Sequence, residues 1–248
     1  STGPLNGPSC GAQGSALKTD KITPLELFNK PRRYLVPIFQ RGYVWSLQEQ
    51  IKPLWRDIVY QAGRVLEAHK RGESYKRAHF MGAVVLHPGE SRTPYTPTTD
   101  VIDGQQRITT LQVFLVALRD VAKAAGDEFL DAKLTQLTRN PDPVPHDDEH
   151  FKVWPTSASR EEIRTIFEAG SADECRRLFP LQKEPRKRRP LPRPRLVQAY
   201  LFFFTAIHRY LRGEDFEEPV DDRDELDDLI ASLGFDTLSS TNDKPINP

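Results

Sequence analysis

Along the first half of the chain short apolar runs alternate with helical stripes, and capping residues mark where the stripes begin. Thr23-Pro24-Leu25-Glu26 sets an N-cap, a proline at the first helical position and a glutamate placed to close a capping box. This predicts a short helix with Ile22 and Leu27 as its hydrophobic staple. Arg33 to Phe39 is rich in β formers, but Pro37 has no N–H for a ladder, so an edge strand or an extended loop is expected. Ser46 and Glu49 form a second capping box ahead of Ile51, Leu54, Trp55, Ile58 and Val59. Those five share one helical face, and Pro53 is expected to kink the start. Phe80 to Leu86 reads as a buried strand. Val101-Ile102 is extended and stops at Asp103-Gly104, after which Leu111, Phe114, Leu115, Leu118 and Ala122 form a helical stripe. The order is strand, polar turn, helix.

Beyond Gly126 the period is helical throughout. Ser159-Arg160-Glu161-Glu162 opens one helix, Leu196, Tyr200, Phe203, Phe204, Ile207 and Leu211 line a second, and Leu226, Leu229, Ile230 and Leu233 a third. No strand is expected there. Proline-rich loops at 141–145 and 180–194 are too long for simple connections, and at least one of them is expected to be mobile. Residues 1–19 carry no periodic pattern and read as a tail or an expression remnant. A mixed α+β unit over 20–125 is therefore followed by an all-helical region over 126–248.

Composition narrows the function classes. The 248 residues carry 35 basic and 35 acidic side chains, so any contact with nucleic acid has to come from a local patch. With two cysteines far apart, Cys10 and Cys175, a disulfide framework is excluded as the organising principle and a reducing, cytoplasmic setting is expected. No apolar run approaches the length of a membrane span.

Two segments concentrate chemistry. Asp103-Gly104-Gln105-Gln106-Arg107 places a carboxylate, a glycine turn, two amides and a guanidinium where a strand meets a helix, whose first amides favour anions. Arg107 can fork onto phosphate oxygens and Asp103 can hold Mg²⁺ or a ribose hydroxyl. Gln105 or Gln106 can orient a water or read a base edge. The same string also fits a plain Asp-Gly turn opening an ordinary helix. Gln40-Arg41-Gly42-Tyr43-Val44-Trp45 can grip a phosphate and stack a base, or Tyr43 and Trp45 can be core packing and Arg41 an ion-pair partner. No phosphate loop with glycines ahead of Lys-Ser or Lys-Thr occurs, so any hydrolysis has to use this less common corner.

Four segments in concert resemble a known family. Val36 to Trp45, Leu54-Trp55-Arg56-Asp57-Ile58, His79-Phe80-Met81-Gly82 and Val101 to Leu111 are similar in order and spacing to the N-terminal domain of GmrSD-type, modification-dependent DNA restriction enzymes. The resemblance implies a ParB/sulfiredoxin-like α/β core followed by a helical region. It implies binding and hydrolysis of GTP or another nucleoside triphosphate with Mg²⁺, coupled to cleavage of phosphorothioate-, glucosyl- or methyl-modified DNA. Asp103, Gln105, Gln106 and Arg107 would be catalytic, with Asp103 the metal ligand, and Gln40, Arg41, Tyr43, Trp45 and Thr109 would bind the nucleotide. The tail from Phe235 to Pro248 looks like a later family segment, with Ser239 where asparagine is usual. An HNH nuclease domain is expected beyond this chain, as is DNA as partner, with a homodimer an open arrangement. The other reading is a non-catalytic ParB-like DNA-binding module.

Three further features stand outside the resemblance. Lys183, Arg186, Lys187, Arg188, Arg189, Arg193 and Arg195 form a proline-interrupted basic run, either a backbone-phosphate contact or a solvated loop balancing Glu214 to Asp228. His146-Asp147-Asp148-Glu149-His150 spells an inverted zinc-protease string, but the prolines before it argue for a loop, not a helix. Trp154 is expected to anchor that loop to the core, with base stacking as the alternative.

Overall fold

A computed structural model describes residues 19–75, 77–89, 93–155, 159–182 and 191–214. Their elements are α1 (Pro24–Asn29), β1 (Arg33–Leu35), a π turn (Leu47–Ile51), α2 (Lys52–Lys70), β2 (Val85–Pro88), β3 (Thr98–Asp103) and α3 (Gln105–Ala124). There follow α4 (Glu128–Thr138), a 3₁₀ turn (Asp147–His150), β4 (Val153–Trp154), α5 (Arg160–Ala169), α6 (Ala172–Leu178) and α7 (Arg195–Leu211). The fold is α+β. One mixed sheet of order β2-β3-β1-β4 pairs β1 parallel to both β3 and β4, and β2 antiparallel to β3.

The sheet separates two apolar clusters through the alternation of its side chains. Tyr34 and Val153 face one of them, with Leu27, Phe28, Val101, Ile108 and Leu134. Their neighbours Leu35 and Trp154 face the other, with Ile51, Trp55, Phe151, Ile163 and the aromatic row of α7. Helix α3 belongs to both, Ile108, Leu111 and Leu115 to the first and Val113, Val116 and Val121 to the second. It is buried nearly all round, against α7 and α4 above all, so the stripe read from sequence is only part of its apolar surface.

Several expectations hold. Thr23 caps α1 in a complete capping box with Glu26, and Ser46 Oγ accepts from the Glu49 amide. The second box closes differently, because Gln50 Oε1, not Glu49, accepts from the Ser46 N–H at 2.9 Å. The Lys52 N–H bonds Leu47 O, so the turn before Pro53 is wound as a π turn. The disturbance from Pro53 takes that form instead of a simple kink.

Other expectations are corrected. β1 is an interior strand, not an edge, since its paired stretch ends at Leu35 and the missing N–H of Pro37 lies beyond the ladder. The strand expected at Phe80 to Leu86 begins only at Val85, runs to Pro88 and forms the exposed edge of the sheet. Gly82 at φ 98° breaks the extended path before it, and Phe80 is 81% exposed. The region beyond Gly126 does contain a strand: β4 docks beside β1, with Tyr34 N–H on Lys152 O and Val36 N–H on Trp154 O. Residues 20–125 alone therefore do not complete the sheet. The stripe at Leu226 to Leu233, the tail from Phe235, Cys10 and residues 183–190 lie outside the described residues. Cys175 is a buried thiol, outside any disulfide.

Candidate functional site

The two chemistry-bearing segments meet. Gln40 Nε2 donates to Val101 O and Ile102 O, both at 3.0 Å, so the turn after β1 is tied to the end of β3. Gln106, in the first turn of α3, presents its amide to the backbone of residues 42–44. Its Oε1 accepts from Val44 N–H at 2.9 Å and its Nε2 donates to Gly42 O at 3.0 Å. Gln105 Nε2 donates to Arg41 O at 3.3 Å. Tyr43 Oη and Thr110 Oγ1 share a hydrogen bond of 2.7 Å, and Thr110 Oγ1 also donates to Gln106 O. From behind, Arg195 donates through Nη1 to Val44 O.

A third segment crosses the same corner. Gly104 adopts φ 87°, and a Cβ there would lie 3.2 Å from Ala83 O. Arg107 extends over Gly82 and donates through Nη1 to Ala83 O. Any Cβ on Gly82 would sit 2.7 Å from the Arg107 guanidinium carbon, so only glycine leaves that cradle open. Sequence reading named this segment without giving it a role. The signal that could have found it is the glycine two residues after an exposed Phe80.

The convergence sorts the expected residues. Asp103 is exposed at the end of β3 and has no side-chain partner among the described residues. Arg41 is likewise exposed, with no partner for its guanidinium among the described residues. Gln105 keeps its Oε1 and Arg107 its Nε and Nη2 for other partners. Gly104 provides no side-chain cap, so the first amides of α3 point outward without an acceptor of that kind. Gln40 Oε1 is buried with no hydrogen-bond donor in reach.

Four of the expected residues make bracing or packing contacts. Gln106 is 8% exposed with both amide atoms bonded to backbone, so it braces the corner. Thr109 is 4% exposed, and its neighbour Thr110 makes the contact with Tyr43. Tyr43 and Trp45 pack against the core, and burial holds the Tyr43 hydroxyl well above the usual phenol range.

Of the basic run, Lys183, Arg186, Lys187, Arg188 and Arg189 lie outside the described residues. Arg193 is buried, its Nε donating to Phe179 O at 2.6 Å, a packing position and not an exposed phosphate contact. At the zinc-like string, Asp147–His150 forms a 3₁₀ turn, Glu149 accepts from Thr96 N–H and His146 stacks on Tyr95. Among the described residues no three His, Cys, Asp or Glu side chains group as metal ligands. Nor is any described helix long and apolar enough to cross a membrane.

No curated protein matches the chain significantly. A family profile does: the GmrSD restriction endonuclease N-terminal domain matches residues 25–242, which include every element described above from Leu25 onward, and the chain belongs to that family.

Proposed function

We propose that the corner formed by Asp103 to Arg107, with Gln40-Arg41 and Gly82-Ala83, binds and hydrolyses a nucleoside triphosphate. In this reading the nucleotide acts in a restriction enzyme directed at modified DNA. One observation carries the proposal: three segments distant in sequence are bonded into one corner, braced by Gln40, Gln106 and Arg107, while a carboxylate and two guanidinium groups stay open to solvent.

The outward amides of α3 and the free donors of Arg107 would hold the terminal phosphates, with Arg41 neutralising further charge. The Asp103 carboxylate suits Mg²⁺, which commonly takes one or two protein carboxylates and completes its shell with phosphate oxygens and water. Bound there, the ion would supply charge neutralisation at the phosphates. Gln105 Oε1 can accept from the attacking water, whose oxygen bonds to the terminal phosphorus as the bridging P–O bond breaks and the shortened nucleotide leaves. The groups that position this machinery are Gln106, through residues 42–44, and Gly82, through Arg107.

Turnover of the four triphosphates, with and without modified duplex, tests the reading on the wild-type chain and on Arg107→Ala. Turnover that the variant loses supports it. Equal turnover by both removes the corner from the reaction, and absence of turnover with retained duplex binding favours a non-catalytic DNA-binding module.

A further inference from the structure

A second cationic cluster lies beside this corner and takes no part in it. The guanidinium carbons of Arg33, Arg160 and Arg164 stand 5.7, 5.5 and 5.8 Å from the centre of the Trp154 ring. Trp154 itself is 6% exposed and stacks on Phe151, so it cannot offer a face to a base. Its place in the arrangement is to gather cations through the ring quadrupole. Three like charges around one indole repel one another, and their counter-charge is incomplete. Arg33 Nη2 pairs with Asp148 at 3.1 Å. Arg160 spends Nε on Pro155 O at 3.4 Å, and neither it nor the exposed Arg164 has a carboxylate partner among the described residues. Glu161, Glu162 and Glu168 share helix α5 without forming an ion pair with either arginine. The cluster adjoins the Gln40–Trp45 segment, because a Cβ on Gly42 would lie 3.9 Å from Oγ of Ser159, the residue preceding Arg160.

We infer that Arg160 and Arg164, the open members of the arginine collar of Trp154, bind phosphate groups of a nucleic-acid backbone, holding duplex DNA alongside the nucleotide corner. The inference rests on the DNA half of the function proposed above. Planar guanidinium groups fork onto non-bridging phosphate oxygens, and their orientation on a buried ring lowers the cost of ordering them. Contacts made to phosphate alone fix position and charge without reading sequence.

The test measures binding of a fluorescently labelled unmodified duplex by the 248-residue chain over a range of salt, for wild type and Arg160→Ala/Arg164→Ala. Loss of two phosphate contacts should weaken binding by about tenfold per contact. It should also lower the slope of log affinity against log salt by roughly two. The Arg160→Lys/Arg164→Lys variant should keep most of the slope. Arg164→Glu alone, at an exposed position, lowers the same slope should the double alanine variant fold poorly. An unchanged slope overturns the inference, as does a variant that loses triphosphate binding while keeping duplex binding, which would assign the collar to the nucleotide. A wild-type chain that hydrolyses nucleotide but shows no salt-dependent duplex binding overturns the collar alone. One that binds duplex through the collar and hydrolyses nothing overturns the nucleotide reading alone.

Discussion

Helix α3 carries a polar cluster at each end, and the two are built on opposite plans. Near its C-terminal end Arg119 donates to Asp120 Oδ1 at 2.9 Å and to Phe167 O at 2.9 Å, while Tyr200 Oη donates to Asp120 Oδ2 at 2.7 Å. All three side chains are buried, and burial pushes both the Asp120 carboxyl and the Tyr200 hydroxyl upward. This cluster joins α3 to α5 and α7 and leaves nothing for a ligand. At the N-terminal end Gln106 is closed in the same way, but Asp103, Arg41 and part of Arg107 are not. A buried polar cluster whose bonds are complete holds the fold together; one that keeps donors and acceptors at the surface leaves them free to meet a ligand.

The sharpest way to break the contrast is at the open end. Asp103→Ala or Arg107→Ala should lower triphosphate turnover by about a hundredfold or more, the size of effect seen when one preorganised charge-stabilising group is removed. Thermal stability should hardly move, because neither residue is buried. A variant that melts early and stays active would reverse the assignment. Gly82→Ala comes next. Its methyl group would displace the Arg107 guanidinium and strain the backbone at φ 98°, so turnover should fall roughly ten- to a hundredfold and stability should drop with it. Arg107→Ala on top of it should then add little.

At the closed end the outcome should invert. Tyr200→Phe leaves Asp120 Oδ2 without its donor and should destabilise by about 1–3 kcal/mol in chemical denaturation, with turnover per folded molecule intact. A pH-dependent effect is expected at Lys152, whose ammonium is buried on Lys30 O and whose pKa is lowered by burial from 10.5 to about 8. Above pH 10.5 the amine is neutral in both folded and unfolded chains. As pH falls toward 8 the unfolded chain takes the proton first, so the native state loses stability across that window. The melting point of wild type minus that of Lys152→Met should therefore decline from pH 10.5 to 8, and parallel curves would show that Lys152 does not titrate this way.

Much of this was legible one residue at a time. The caps at Thr23 and Ser46, the strand-turn-helix at Asp103 and the aromatic row of α7 follow from local chemistry, and the structure places each where periodicity put it. What escaped depends on partners. Val153-Trp154 is too short for any period, and it is a strand only because β1 offers it an edge. Pro37 argues for an edge strand only if the ladder reaches it, and the ladder stops two residues earlier. At the site, the residue types in Asp103 to Arg107 were visible, but not their division of labour. Gln105 and Gln106 are adjacent and chemically identical, and only the path of residues 41–44 decides which one is consumed as a brace.

Arg195 reaches back across most of the chain to Val44, and β4 arrives beside β1 from a similarly late stretch. During synthesis from the amino end, Gln40 and Asp103 leave the ribosome well before the guanidinium that buttresses their loop and the strand that flanks their sheet. A polypeptide halted midway would carry every letter of the motif but lack the guanidinium and the strand that flank it, so the corner has its full set of contacts only once the late helical layer has joined.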